Sequence, residues 1–146
     1  MRIIPMTQSH VVQIAQLEKM CFSAPWSENS IASELQNPLS LWLVAEEAGQ
    51  VLGYVGSQTV LDESDMMNIA VHPDYRRQGI ARRLIEELIC ALSQRGSRIL
   101  RLEVRVTNSG AIALYESMGF QKLGLRKKYY QNPREDGYIL GREWEN

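Results

Sequence analysis

Cysteine, net charge and long apolar runs are all scarce in this 146-residue chain, and each scarcity removes a class of protein. Two cysteines, Cys21 and Cys90, exclude a disulfide scaffold. The 16 basic and 17 acidic side chains leave a formal charge of −1. With a sequence pI near 6.1, the chain lacks the charge of a protein that coats nucleic acid. The longest apolar stretches, such as residues 41–45, fall far short of the roughly 20 residues that cross a bilayer. Met1-Arg2-Ile3-Ile4-Pro5 leads into polar sequence without the apolar core or small-residue cleavage site of a signal peptide. A cytoplasmic protein with reduced thiols is therefore expected. Repeats, low-complexity tracts and Pro-, Gly- or Ser-rich linkers are missing too. The 45% hydrophobic and 23% charged residues are ordinary globular composition, which argues against disorder. One domain over residues 1–146 is the expectation. A chain this long buries about 68–70% of its unfolded surface, enough for a core.

What is present is a regular succession of element signals. Residues 1–4 suit a short strand. Thr7 or Ser9 can cap a helix with Val11, Ile14, Leu17 and Met20 on one face. After the Pro25-Trp26-Ser27 break, Ser27 can cap a second helix carrying Ile31 and Leu35, which Pro38 ends. Residues 41–46 and 51–60 read as strands joined by a hairpin at Ala48-Gly49-Gln50. Residues 64–71 follow as a third strand after the acidic turn Asp62-Glu63. Residues 79–95 carry the clearest helical stripe, from Ile80 through Leu84, Ile85, Leu88 and Ile89 to Leu92, closed by Gly96. Residues 99–106 alternate as a strand. Asn108 caps a helix to Met118 with Gly119 as its stop, and 121–130 and 137–144 read as terminal strands. The order predicts an α/β fold with a mixed sheet: helices, an antiparallel meander, then strand–helix–strand–helix–strand. Strands 64–71 and 99–106 should be parallel through a right-handed crossover.

The run Tyr75-Arg76-Arg77-Gln78-Gly79-Ile80-Ala81-Arg82-Arg83 opens the long helix with the wrong charge. A helix N-terminus already carries about half a positive charge and free N–H groups. Here four arginines precede the first acid, Glu86. The Arg82–Glu86 and Arg83–Glu87 pairs help little, because Arg before Glu is the poorer orientation. A phosphate or pyrophosphate seated on the turn accounts for the pattern. Gly79 lets the backbone approach closely and Ala81 keeps the floor low. The alternative is a solvated basic turn whose arginines pair with acids elsewhere, and charge alone does not separate the two. Neither Gly-x-x-x-x-Gly-Lys-Ser/Thr nor Gly-x-Gly-x-x-Gly occurs, so nucleotide-hydrolase and dinucleotide readings lack support.

Arg76-x-x-Gly79-x-Ala81 resembles the acyl-coenzyme A signature, Gln/Arg-x-x-Gly-x-Gly/Ala, of the GCN5-related N-acetyltransferases (GNAT). It stands after a strand and His72-Pro73 and before a helix, as in that family. A second cluster runs Leu102-Glu103-Val104-Arg105-Val106-Thr107-Asn108, then Ala113-Leu114-Tyr115-Glu116-Ser117-Met118-Gly119-Phe120. It looks like the bacterial ribosomal-protein alanine N-acetyltransferases of the RimI type. Pro25-Trp26-Ser27-Glu28, Asn68-Ile69-Ala70-Val71, Tyr129-Tyr130 and Glu135-Asp136 agree. The resemblance covers most of the chain and is strongest from Asp62 onward. Two positions depart from it: Ala81 is often glycine in relatives, and Glu-Asp-Ala near the end reads Glu135-Asp136-Gly137.

The resemblance implies the GNAT fold: a single mixed central sheet with an antiparallel meander, a parallel strand pair splayed around the coenzyme, and flanking helices. It implies acetyl-CoA as cosubstrate and no metal. The pantetheine would lie along the backbone of Ile69, Ala70 and Val71. The pyrophosphate would sit on Arg76, Arg77, Gln78, Gly79, Ile80, Ala81 and Arg82, with Asn108 and Tyr115 as further contacts. Glu103 becomes the general base and Tyr115 the general acid, with an N–H near Val71 facing the developing oxyanion. The implied partner is a ribosomal protein N-terminal peptide, the alanine of small-subunit protein eighteen. The acidic turn Asp62, Glu63 and Asp65 would meet that peptide's arginine. A monomer or weak dimer is expected, with no direct nucleic-acid contact and no membrane. A lysine, polyamine or antibiotic acceptor on the same fold, or a coenzyme-binding module without catalysis, remain as alternatives.

Each of these residues also has a plainer role. Glu103 shares the polar face of its strand with Arg101 and Arg105, roughly 7 Å away along the strand, and by itself would pair with one of them. Asn108 caps a helix whatever else it does, and Tyr115 packs in the core. Of Tyr129 and Tyr130, strand alternation would point only one into an acceptor groove. Trp26 suits a core anchor better than a groove wall. Cys21 and Cys90 have no activating partner in sequence, and His10 and His72 lack metal-ligand spacing.

Overall fold

The computed structural model describes residues 1–145, in which seven strands form one mixed sheet. The strands are β1 (Arg2–Pro5), β2 (Ser40–Glu47), β3 (Gln50–Val60), β4 (Glu63–Val71), β5 (Ile99–Arg105), β6 (Gln121–Tyr130) and β7 (Glu135–Glu143). Their order across the sheet is β1-β2-β3-β4-β5-β7-β6. Every neighbouring pair is antiparallel except β4–β5, which is parallel as the strand–helix–strand reading requires. The helices are α1 (Val11–Cys21), α2 (Glu28–Glu34), α3 (Ile80–Gln94) and α4 (Ser109–Ser117). Local chemistry accounts for most of their ends. Ser27 Oγ accepts the Ser30 N–H at 3.1 Å and Asn108 Oδ1 the Ala111 N–H at 3.2 Å, capping α2 and α4. Gly96 (φ +91°) and Gly119 (φ +90°) follow α3 and α4 in the left-handed conformation that glycine adopts freely.

Two apolar clusters lie on opposite faces of the sheet. On one face the α3 stripe of Leu84, Ile85, Leu88 and Leu92 packs on Leu43, Val55, Leu100 and Leu102, joined by Ile112 and Tyr115 of α4. On the other, Val11, Ile14 and Leu17 of α1 and Ile31 of α2 pack on Trp42, Val44, Tyr54 and Ala70. Each fully buried Leu or Ile contributes roughly 1.5–3 kcal/mol. One α1 position differs from expectation. Met20 is 54% exposed, while Glu18 is completely buried. At 3.6 residues per turn, Met20 is two and a half turns beyond Val11 and so on the opposite side, whereas Glu18 falls in line with Val11, Ile14 and Ala15.

Two features of the sheet create space for a site. First, β4 and β5 pair only through Glu63↔Ile99, Ser64↔Leu100 and Asp65↔Arg101, after which residues 66–71 have no partner on that side. A shift of register against β3 between Gly56 and Ser57 makes Met67 an extra residue, a bulge that bends β4 away. Gly56 is required there, since a Cβ would stand 2.3 Å from the Trp42 ring. Second, α1 packs on β3 and β4, and among the described residues no helix covers the same face of β5, β7 and β6. That half-face is open.

Candidate active site

Beyond Val71, His72 Nδ1 accepts the Asp74 N–H at 3.1 Å and starts one tight 3-10 turn. The backbone then takes φ +63° at Arg77 and +78° at Gly79, with Gln78 between them outside the left-handed region. Such alternation aims successive N–H groups into one concavity, an anion nest. Gly79 begins α3 without any side-chain cap, and the space its Cβ would take is empty out to 4 Å. Among the described residues, none of Arg76, Arg77, Arg82 and Arg83 is ion-paired with a carboxylate. Arg76 Nε instead donates to the Val71 carbonyl at 3.3 Å, and Arg82 Nη2 to Ser117 Oγ at 2.7 Å. The turn therefore offers free N–H groups and uncompensated positive charge beside the β4–β5 gap, which Ile69, Ala70 and Val71 border. This fits a coenzyme with a diphosphate at one end and a slender arm at the other.

Glu103 lies on the open half-face, opposite Ile139 of β7. Neither neighbouring arginine is its partner, contrary to the plain reading of the strand. Arg101 is held by Glu63 at 3.1 Å and Asp65 at 3.3 Å, and Arg105 by Glu135 at 3.0 Å. Arg126, from β6, reaches Glu103 with Nε at 3.4 Å. The acidic turn is accounted for by the same bonds. Asp62 pairs with Arg98 at 2.5 Å, and this bond holds its carboxyl below the usual range. With Glu63 and Asp65 sharing Arg101, all three acids of the turn are ion-paired within the chain, at the closed end of the β4–β5 pair.

Tyr115 is buried in α4, its ring 5.7 Å from Phe120, and its hydroxyl joins no hydrogen bond among the described residues. Burial pushes its phenol up to about 12. Tyr130 ends β6. Its phenol is pushed well above the ordinary value, first by burial, then by Tyr129 and Glu103, with Tyr115 also raising it and Arg105 opposing. Strand alternation fails here: Lys128 has φ +52°, and both tyrosine rings lie over Gly137. They meet edge-on at 4.9 Å, Arg126 is 5.5 Å from Tyr129, and Arg105 is 4.6 Å from Tyr130. A Cβ at 137 would stand 2.8 Å from the Tyr130 ring, which gives the glycine at that position its reason. Trp26 packs edge-on against Trp42 at 5.4 Å, as a core anchor should.

Glu135 ties this edge together. Oε1 accepts from Arg105 Nη1 at 3.0 Å, and Oε2 accepts the Thr107 N–H at 3.1 Å and the Thr107 hydroxyl. These bonds, Thr107 first, hold its carboxyl below the usual range. Stability linked to a depressed carboxyl is present above its unfolded pKa and lost as pH falls through the folded one. Glu135→Gln should therefore lower Tm by a few degrees near neutral pH, with the gap closing below about pH 4. Thermal melts of both proteins check this, and a gap undiminished at about pH 3 contradicts it.

Residues 11–120 match the Acetyltransferase (GNAT) family. The [ribosomal protein bS18]-alanine N-acetyltransferase of Escherichia coli strain K12 is 44% identical over 126 residues, which cover 85% of this chain and 84% of that protein. The N-alpha-acetyltransferase RimI of Mycobacterium tuberculosis is 35% identical over 144 residues, 94% of this chain and 89% of that protein. The crystal structure of the ribosomal-protein-S18-alanine N-acetyltransferase from Escherichia coli superposes with a TM-score of 0.89 at 39% identity, covering 97% of this chain and 92% of that one. The chain belongs to the GNAT family and is, by that membership, an acetyl-CoA-dependent N-acetyltransferase.

Proposed function

We propose that this chain acetylates the α-amine of an N-terminal alanine, that of ribosomal protein bS18, in the cytoplasm and as a monomer or weak dimer. The observation that carries the reading is the placement of Glu103 on the open half-face beside the β4–β5 gap, in a chain 44% identical to a protein named for that reaction. All the groups required come from one chain.

Acetyl-CoA, when bound, supplies an acyl group activated as a thioester. The turn from Arg76 to Arg82 holds its diphosphate by N–H groups and positive field, and the Ile69, Ala70 and Val71 backbone orients its arm. Asn108 adds a contact from the start of α4. Glu103 removes the proton from the incoming ammonium, directly or through water. An α-amine has a pKa of about 7.7–8.0 against about 10.4 for lysine, so near neutral pH the task is modest for an N-terminus. A lysine would demand roughly two to three more pKa units, several kcal/mol, from the same base. An N–H near Val71 receives the charge that develops on the acyl oxygen. Tyr115 hands its proton to the departing sulfur. Its high pKa keeps that proton in place until then, and the burial that raises it also disfavours a bare thiolate beside it.

The test is mass spectrometry of peptides incubated with the purified chain and acetyl-CoA. A peptide beginning Ala-Arg should gain one acetyl group on its α-amine, faster than variants with another first residue. Equal rates for every first residue, or transfer to an internal lysine instead, would remove the reading.

A further inference from the structure

Glu18 sits in the middle of α1 with no exposed surface, and none of the steps above uses it. Its two oxygens accept three donors from three separate segments. Oε1 takes the Trp26 backbone N–H at 2.8 Å. Oε2 takes the Tyr54 hydroxyl from β3 and Asn68 Nδ2 from β4, the latter at 2.6 Å. Tyr54 is itself fully buried and stacked on Trp42 at 5.8 Å. Burial pushes the Glu18 carboxyl above its ordinary value, while Tyr54, Trp26 and Asn68 each pull it back. An apolar residue of similar size would fill this stripe position without removing a charge from water. The carboxylate thus calls for an account beyond packing.

Two of its three partners belong to the strand that borders the gap and to the segment that follows α1. Asn68 follows the β4 bulge and immediately precedes Ile69 at the gap. Trp26 belongs to the 22–27 segment between α1 and α2. In that segment Ser23 Oγ reaches the Asn132 carbonyl, at the β6–β7 turn, at 3.5 Å. The 22–27 segment and the β6–β7 turn, which Tyr129 and Tyr130 precede, therefore meet through this bond. Glu18 joins the 22–27 segment to the strand bordering the gap.

We infer that Glu18 is a positioning residue for the acceptor: its carboxylate locks the 22–27 segment to Asn68 of β4 and so sets the groove that receives the peptide N-terminus. The inference rests on acetyl transfer taking place at the open half-face. Glu18→Gln replaces one acceptor oxygen with an NH₂ that must face a donor. It should raise the KM for an Ala-Arg peptide by about tenfold or more, because hydrogen bonds to charged groups are the stronger class. The acetyl-CoA Kd from calorimetry should stay within about twofold. Tyr54→Phe keeps the stacked ring and removes one donor, so its KM should rise in the same sense by about two- to fivefold. A purely structural role would instead reduce the folded fraction, and with it the apparent kcat, at unchanged KM. That result in both variants overturns the inference, and if Glu18→Gln does not fold, the same split in Tyr54→Phe decides. Wild-type turnover, measured alongside, separates the two levels. Its absence overturns the proposed function and this inference with it, whereas its presence with an unmoved peptide KM overturns the inference alone.

Discussion

Glu103→Gln is expected to lower kcat on an alanine-first peptide by about 10²–10⁴-fold, the range for loss of a general base, while the acetyl-CoA Kd stays within about twofold. The substitution keeps size and shape, and the backbone pairing of residue 103 with Ile139 does not involve the side chain. What disappears is the ability to accept a proton. The Arg126 ion pair disappears too, but its partners are 52% and 29% exposed, and pairs so open to solvent contribute about 0–1 kcal/mol. Stability should therefore change little. The defect should narrow as the pH rises above about 8, where the α-amine loses its proton unaided. Steady-state rates across pH, with calorimetry for the coenzyme, make the check. Undiminished turnover in the variant would take the proton-removing role away from Glu103.

For Gly79→Val the expected result is a loss of acetyl-CoA affinity on the order of a hundredfold. Gly79 has φ +78°, where a side chain costs roughly 1–2 kcal/mol and a β-branched one more. If the turn relaxes to escape that strain, the N–H groups of the nest no longer converge. If it does not, the new Cβ and its methyls occupy space that is empty of protein out to 4 Å, on the side where the diphosphate must approach. Loss of one or two charge-assisted hydrogen bonds, each worth about 1.5–3 kcal/mol, sets the scale. Tenfold in affinity is about 1.4 kcal/mol. Gly79→Ala, with the smaller side chain, should fall between the two. A wild-type Kd in Gly79→Val would mean that the diphosphate does not rest on this turn.

Much of this arrangement was legible residue by residue because local signals coincide with it. Ser27, Asn108, Gly96 and Gly119 mark helix ends that the structure places where the sequence puts them. The arginines at the head of α3 were legible because charge at a helix end is a one-dimensional feature, and among the described residues none of the four is ion-paired with a carboxylate. Relations set by sheet order were not legible. Arg126 meets Glu103 only because β7 lies between β5 and β6, a placement that no local pattern encodes. The acidic turn looked available because its partners, Arg98 and Arg101, arrive from across the crossover. Tyr129 and Tyr130 defied alternation because Lys128 is left-handed, which nothing in a lysine announces. Glu18 had one clue: it continues the stripe of Val11, Ile14 and Ala15, where a charged residue breaks the pattern for a reason.

Crystallography of the complex with coenzyme A is the measurement that bears most directly on the whole scheme. The account predicts the diphosphate on the N–H groups from Arg77 to Arg82, with the arm in the gap beside Ile69, Ala70 and Val71 and the sulfur between Glu103 and Tyr115. Density for the diphosphate anywhere else, or an arm that does not enter between β4 and β5, would contradict it.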